Sequence, residues 1–240
     1  MAVFLGVLLS AALGGFVQSV TGFGAGVVMM TVFPGLFGMA LAPTLSTAIN
    51  LGLSLVLAWQ FRHYARWRLI LLPTVLYTLS SVLVIRLIGS MDLQKLTIAF
   101  GGFLVLLGAR LLLSGGRTFR VTPSVTVFCS LLAGVCGGLF SVAGPIMAVY
   151  FLAATEDRES YLGNIQVHFF LNNVSNAVTR AANGLFPLSL APLTLLGIAG
   201  VVCGQKLGLI VGKKLKGEQM KKLVYLYIMA SGVITVARNL

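Results

Sequence analysis

Apolar residues run through this chain in long blocks, and polar residues gather in a few short interruptions. The first block covers residues 3–37 and is broken internally at Gly22, Gly24, Gly26 and Pro34. Residues 41–61 follow, and the chain then turns polar at Arg62-His63-Tyr64-Ala65-Arg66-Trp67-Arg68. Blocks 69–89 and 93–113 flank a short turn at Ser90-Met91-Asp92, and a connector at 114–122 carries Arg117 and Arg120. The order then repeats. An interrupted block at 123–154 leads to a loop at 155–160. Blocks 161–182 and 188–211 lie on either side of Asn183-Gly184-Leu185-Phe186-Pro187, and a basic loop at 213–222 precedes a last block at 223–238. Blocks of about 20 residues match the hydrocarbon thickness of a bilayer. The pattern predicts an all-α polytopic membrane protein.

The internal breaks come in two copies. The first is Gly15-Phe16-Val17-Gln18-Ser19-Val20-Thr21-Gly22-Phe23-Gly24-Ala25-Gly26. The second is Gly134-Val135-Cys136-Gly137-Gly138-Leu139-Phe140-Ser141-Val142-Ala143-Gly144-Pro145. A shift of 119 aligns Gly15 with Gly134, Gly26 with Pro145 and Pro73 with Pro192. With a few residues inserted, Asn50 falls near Asn172 and Asn173, and Arg86 falls beside Gln205 and Lys206. The common order of these matches points to duplication, with a first repeat at 1–114, a connector at 115–122 and a second repeat at 123–240. Helix breaks at corresponding places in two halves are a pointer to a transporter's binding site.

Loop charge gives the topology. Loops 62–68, 110–120 and 213–222 are basic, which places them in the cytoplasm. Blocks 69–89 and 93–113 then go out and return, and 161–182 with 188–211 make a similar excursion. That puts loop 155–160 inside too, since its acids contribute little to orientation. Residues 123–154 become a hairpin with both ends inside, and residues 1–37 a hairpin with both ends outside. Each half holds one broken-helix hairpin and three transmembrane helices, and an odd number of crossings inverts the second copy against the first.

Composition agrees. The chain is 58% hydrophobic and only 9% charged over 240 residues, with a mean hydropathy of +1.00. The formal net charge of +12 is read as cytoplasmic-loop charge rather than as a nucleic-acid surface. Cys129, Cys136 and Cys203 show no CxxC spacing and are read as packing residues. The first ten residues resemble a signal-peptide core without a basic start. They have a mid-chain counterpart at 125–139, so they are kept as structure.

The candidate chemistry lies in the breaks and in polar residues inside apolar blocks. A helix restarting after a glycine turn offers unpaired N–H groups and a positive dipole end, which attract anions. The same glycines could serve close helix packing alone. Gln18, Ser19, Thr21, Gly22 and Gly24 belong to the first break, and Ser141 and Gly144 to the second. Asn50, Asn172, Asn173 and Asn176 lie in neighbouring blocks, and buried amides of this kind either form a site or glue helices. Arg86, Lys206 and His168 are candidates for an anion gate or relay. Snorkelling explains the two basic residues equally, with Arg180 a similar case, and a hydrogen-bonded core position explains the histidine. The five acids, Asp92, Glu156, Asp157, Glu159 and Glu218, all sit in loops or at block ends. A buried carboxylate relay and a side-chain sodium site are therefore not expected. No HExxH, paired carboxylates or Ser–His–acid set suggests an enzyme, and no metal or cofactor is expected.

With these residues in view, the chain resembles the sulfite exporter TauE/SafE family of membrane transporters. The resemblance rests on the block from Gly15 to Gly26, on Gly137-Gly138-Leu139-Phe140-Ser141-Val142-Ala143-Gly144-Pro145, and on Gly197, Gly200, Gly204 and Lys206. It implies secondary transport, in the export direction for some relatives, of small sulfur-containing anions such as sulfite, sulfoacetate or other organosulfonates. It also implies a multi-pass protein of a bacterial inner membrane, and a homodimer is compatible with it. An anion channel on the same scaffold, or a membrane assembly protein that transports nothing, are the alternative readings.

Overall fold

The computed structural model describes residues 1–113, 120–212 and 217–239. The described residues form nine α-helices: α1 (Ala2–Thr21), α2 (Ala25–Phe61), α3 (Trp67–Leu87), α4 (Leu93–Leu113), α5 (Pro123–Phe140), α6 (Gly144–Ala154), α7 (Arg158–Ala182), α8 (Ala191–Gly212) and α9 (Gly217–Asn239). Helices α1, α2, α3, α5 and α8 are long and apolar enough to cross a membrane. The chain is an all-α polytopic membrane protein.

Both interrupted blocks are helical hairpins. Helix α1 stops because Gly22 takes a left-handed backbone, φ 87°, and its N–H turns back to Gln18 O at 2.7 Å. A residue with a Cβ is strained there, so glycine ends the helix. The arms then run antiparallel: a Cβ on Gly14 would sit 3.2 Å from Ala25, and one on Gly6 would sit 3.1 Å from Leu36. Helix α5 ends the same way at Ser141, φ 57°, the one non-glycine residue with positive φ among those described. Pro145 fits the first turn of α6 because its missing N–H would have had no partner there. Thr126 donates to Tyr150 Oη at 3.3 Å across this hairpin.

Some boundaries differ from the sequence pattern for local reasons. Blocks 3–37 and 41–61 are not separated by a loop; α2 runs through both and breaks only at Gly38, φ 72° and ψ 166°. Helix α7 begins at Arg158 rather than 161, because Asp157 caps it, accepting from Ser160 N and Ser160 Oγ at 2.7 Å each. Helix α9 begins at Gly217, so part of the basic loop is helical. The connector residues 114–119, with Arg117, and loop residues 213–216 lie outside the described residues.

The two halves pack reciprocally. Helix α1 lies on α8, and α5 lies on α3, so the first helix of each half packs on a later helix of the other; α2 meets α7, and α4 meets α9. The close approach needs glycine: a Cβ on Gly15 would run into the Val201 backbone, and one on Gly134 into Tyr77 and Ser80. Helix α7 sits at the centre and is built inside out. Its Val174 and Val178 are exposed, while Asn164, Gln166, His168, Asn172, Asn176 and Arg180 are buried. In a bilayer the polar face of a helix must face protein, since lipid offers no hydrogen bonds.

Candidate functional site

The hairpin tips touch. A Cβ on Gly26 would strike Ser141 O, and one on Gly144 would lie 3.1 Å from Phe23. Between the tips is a small chamber of about 40 Å³. Gln18, Gly24, Gly26 and Val27 line it from the first hairpin, and Ser141, Val142, Ala143 and Gly144 from the second. Asn50 of α2, Tyr77 of α3, and Phe169, Asn172, Asn173 and Asn176 of α7 close it. The N-termini of α2 and α6 both begin at this chamber, and their N-cap residues, Gly24 and Ala143, offer no capping side chain.

Helix α7 fastens both tips, and α2 adds a bond at the second. At the first, Gln166 Nε2 donates to Gly22 O at 2.6 Å and Tyr161 Oη donates to Thr21 O at 2.9 Å. Gln18 Nε2 donates to Gln166 Oε1 at 3.2 Å, while its own Oε1 accepts from Ala25 N at 3.3 Å. The carbonyls freed by the break are thereby paired, as burial demands. At the second tip, Thr47 Oγ1 donates to Ser141 Oγ at 3.1 Å. Arg180 donates through Nη2 to Gly138 O and through Nη1 to Thr44 Oγ1, the latter at 3.3 Å. Gly138 O belongs to the last turn of α5, the negative end of that helix, which favours a cation.

Arg180 is the electrostatic exception among the described residues. Its side chain is fully buried, its Nε has no partner, and the one ion pair among the described residues is Lys95 with Asp92 at the surface. Buried charges are ordinarily paired with an opposite charge. Here the guanidinium has only neutral partners and lies one turn beyond Asn176, which lines the chamber. The amides around the chamber are neutral. Asn173 Nδ2 donates to Ser54 Oγ at 3.2 Å, and Asn172 Oδ1 accepts from Thr78 Oγ1 at 3.0 Å. Asn176 Nδ2 donates to Tyr77 Oη at 3.2 Å, while the Oδ1 atoms of Asn50 and Asn176 have no partner. The set offers the second N–H of each engaged amide, two helix N-termini and one buried positive charge, beside the two unpartnered amide oxygens. That combination suits a small anion.

The structure brings Gln18, Gly24, Asn50, Ser141, Gly144, Asn172 and Asn173 to one chamber. Ser19 turns away, donating to Phe16 O at 2.9 Å, and packs against Gly208 of α8. Thr21 serves the turn, donating to Phe23 O at 2.6 Å, and Gly22 is the turn itself. His168 lies between Tyr77 and Phe151, with ring centroids 5.6 and 5.4 Å away, and shares a 2.9 Å hydrogen bond with Thr74. It does not line the chamber, which is the core-histidine arrangement. Arg86 and Lys206 are exposed and do not line the chamber. Sequence reasoning passed over Gln166 and Tyr77 and placed Arg180 with the snorkelling residues. The signal for Arg180 was present: Asn164, His168, Asn172, Asn176 and Arg180 recur every fourth residue, one continuous helical row.

Among known proteins, the sequence model described as Sulfite exporter TauE/SafE matches residues 7–235. No curated protein and no solved structure matches the chain.

Proposed function

The chain belongs to the sulfite exporter TauE/SafE family of membrane transporters, and from that premise we propose that it carries small sulfur oxyanions such as sulfite, sulfoacetate or other organosulfonates across a bacterial inner membrane. Export is the direction that the family's description carries. One observation supports the reading above the rest: two helix N-termini converge on a chamber of neutral donors, with the uncompensated charge of Arg180 one turn behind it. A sulfonate or sulfite is a weak base that accepts hydrogen bonds through several oxygens. Amide and backbone N–H donors can hold it without a strong ion pair that would trap it. No described carboxylate lines the chamber, so the anion meets no like charge there.

Gln18, Asn50, Asn172 and Asn173 bind and orient the anion, Ser141 adds a hydroxyl, and Arg180 supplies the positive potential. At about 40 Å³ the chamber has room for little more than one water. The tips must therefore part to admit an anion and close again behind it, which is alternating access rather than an open pore. The reciprocal packing of the halves supports inverted repeats that exchange roles between the two faces.

The test is flux of radiolabelled sulfite or sulfoacetate in proteoliposomes. The reading expects saturable flux that falls about tenfold or more in Gln18→Ala, Asn50→Ala and Asn173→Ala, a loss of about 1.4 kcal/mol in binding. Unchanged flux in all three would remove the site assignment. Linear, non-saturating flux would favour a channel.

A further inference from the structure

A second cavity, of about 510 Å³, lies next to the chamber. Its walls are the 30–39 stretch of α2, Thr97 and Phe100 of α4, and Ser231 and Arg238 of α9. All of these lie at one end of their helices. At about 1.5 Å per residue, α2 rises roughly 34 Å from Gly38 to Phe61, a full hydrocarbon thickness. The cavity is therefore on the face opposite loop 62–68. The corresponding short arm of the other hairpin is packed among the described residues. In α6, Met147 and Phe151 are fully buried and Tyr150 is 3% exposed, packed in one cluster with Leu104 of α4 and Tyr225 of α9.

The two cavities share Val27 and Val142. Val27 stands in the first turn of α2 after one break, and Val142 in the turn of the other; they are 3% and 2% exposed and belong to one apolar cluster with Phe140. A buried apolar pair between two cavities excludes ions until it separates. The means of separation is present in the fold. Gly38 interrupts α2 with a non-helical backbone, and a Cβ there would meet nothing within 4 Å. Gly38 thus gives the short arm 25–37 a backbone hinge with open space at its Cα. At the rim, Arg238 Nη1 donates to Thr31 O at 2.7 Å, and the exposed guanidinium has further donors.

We propose that this cavity is the anion's access vestibule on the face opposite loop 62–68, that Val27 and Val142 are the gate between it and the polar chamber, and that Arg238 draws small oxyanions into it. The assignment rests on the transporter reading above. Its test uses side-specific labelling, which works whether or not sulfite is the substrate.

In the full chain, with Cys129, Cys136 and Cys203 replaced by Ala, single cysteines are placed at Met39 in the vestibule and at His63 in the loop. Membrane-impermeant thiol reagents are then added to one side of sealed vesicles. Met39→Cys is expected to react about tenfold or more faster from the side opposite to that on which His63→Cys reacts. Reaction from the same side, or none, overturns the vestibule. Asn173→Cys reports the gate: adding Val142→Ala, or Val27→Ala as an independent variant, should raise its rate from the vestibule side severalfold. An unchanged rate in both removes the gate. Arg238→Gln should lower the ratio of anionic to cationic reagent rates at Met39→Cys severalfold, with Arg238→Lys restoring it, because a rim charge raises the local concentration of opposite charge. An unchanged ratio removes Arg238. Labelling as expected without sulfite or sulfoacetate flux would leave the vestibule standing and count against the substrate.

Discussion

In the first hairpin, α1 turns back at Gly22, and the short arm that follows borders an open space through Met30, Thr31 and Pro34. In the second, α5 turns back at Ser141, and its short arm is enclosed by aromatic and aliphatic side chains around Phe151. The tips also differ in what fastens them: amides of Gln18 and Gln166 at the first, the guanidinium of Arg180 at the second. Two hairpins of the same design thus occupy different packing states. A carrier built from two such units needs this inequality, because a site reached from both faces at once would leak. On the proposed transport reading, the first hairpin is the one beside the access space and the second the one packed shut.

The comparison breaks most readily at the packed arm. Phe151→Ala should cost about 3–5 kcal/mol, since its fully buried ring would leave a cavity. Met30→Ala, on the open arm, should cost less than about 1 kcal/mol because it only enlarges an existing space. Thermal unfolding of the purified protein in detergent compares them, and equal losses would erase the distinction between the arms. The fastenings give the next largest effect. Gln166→Ala and Arg180→Ala each leave a buried carbonyl unpaired, at about 1–3 kcal/mol. The two variants separate in flux assays: only Arg180→Ala should weaken anion uptake beyond what its lost stability explains, and only there should Lys restore part of it.

Much of this was legible in the sequence, and the reason is physical. A bilayer imposes a block length, and a helix break at membrane depth requires glycine, so Gly22, Gly24 and the stretch before Ser141 stood out. Neutral amides in apolar blocks are costly unless paired, which singled out Asn50, Asn172 and Asn173. What did not show was tertiary. Gln166 and Tyr161 matter because they reach the tip of the other half. Arg180 differs from Arg86 and Lys206 only in which way its helix face points, and the row of polar residues on α7 was the one hint. His168 lay on that same row, yet the packing encloses it between aromatic rings beside the chamber rather than in it. Asp157 lengthened α7 because a cap depends on one local hydrogen bond, which hydropathy does not register.

An effect no larger than that of the fastenings is expected at the hinge. Gly38→Ala meets no neighbour, so it should cost only the strain of a backbone region nearly confined to glycine, about 1–3 kcal/mol. Its main consequence should be slower exchange, read as a lower maximal flux at similar half-saturation. Full flux would detach Gly38 from the motion of the first hairpin. The smallest effect concerns the cap of α7, which carries residues to both tips. The Ser160 N–H and hydroxyl hold the Asp157 carboxyl below its ordinary value of 3.8. Its contribution is therefore complete at neutral pH and is lost as pH falls below 3.8 toward the lower folded value. Asp157→Asn should keep the cap and flatten this acid dependence, with unfolding followed by circular dichroism across that range.

The central claim is that a sulfur oxyanion binds between the two helix breaks and crosses when they part. Counterflow in proteoliposomes tests it most directly: vesicles loaded with unlabelled sulfite or sulfoacetate, diluted into a trace of the labelled anion. Transient accumulation of label is expected, saturating with internal substrate and lost in Gln18→Ala and Asn173→Ala. Label that only equilibrates, or accumulation unchanged in both variants, would contradict it.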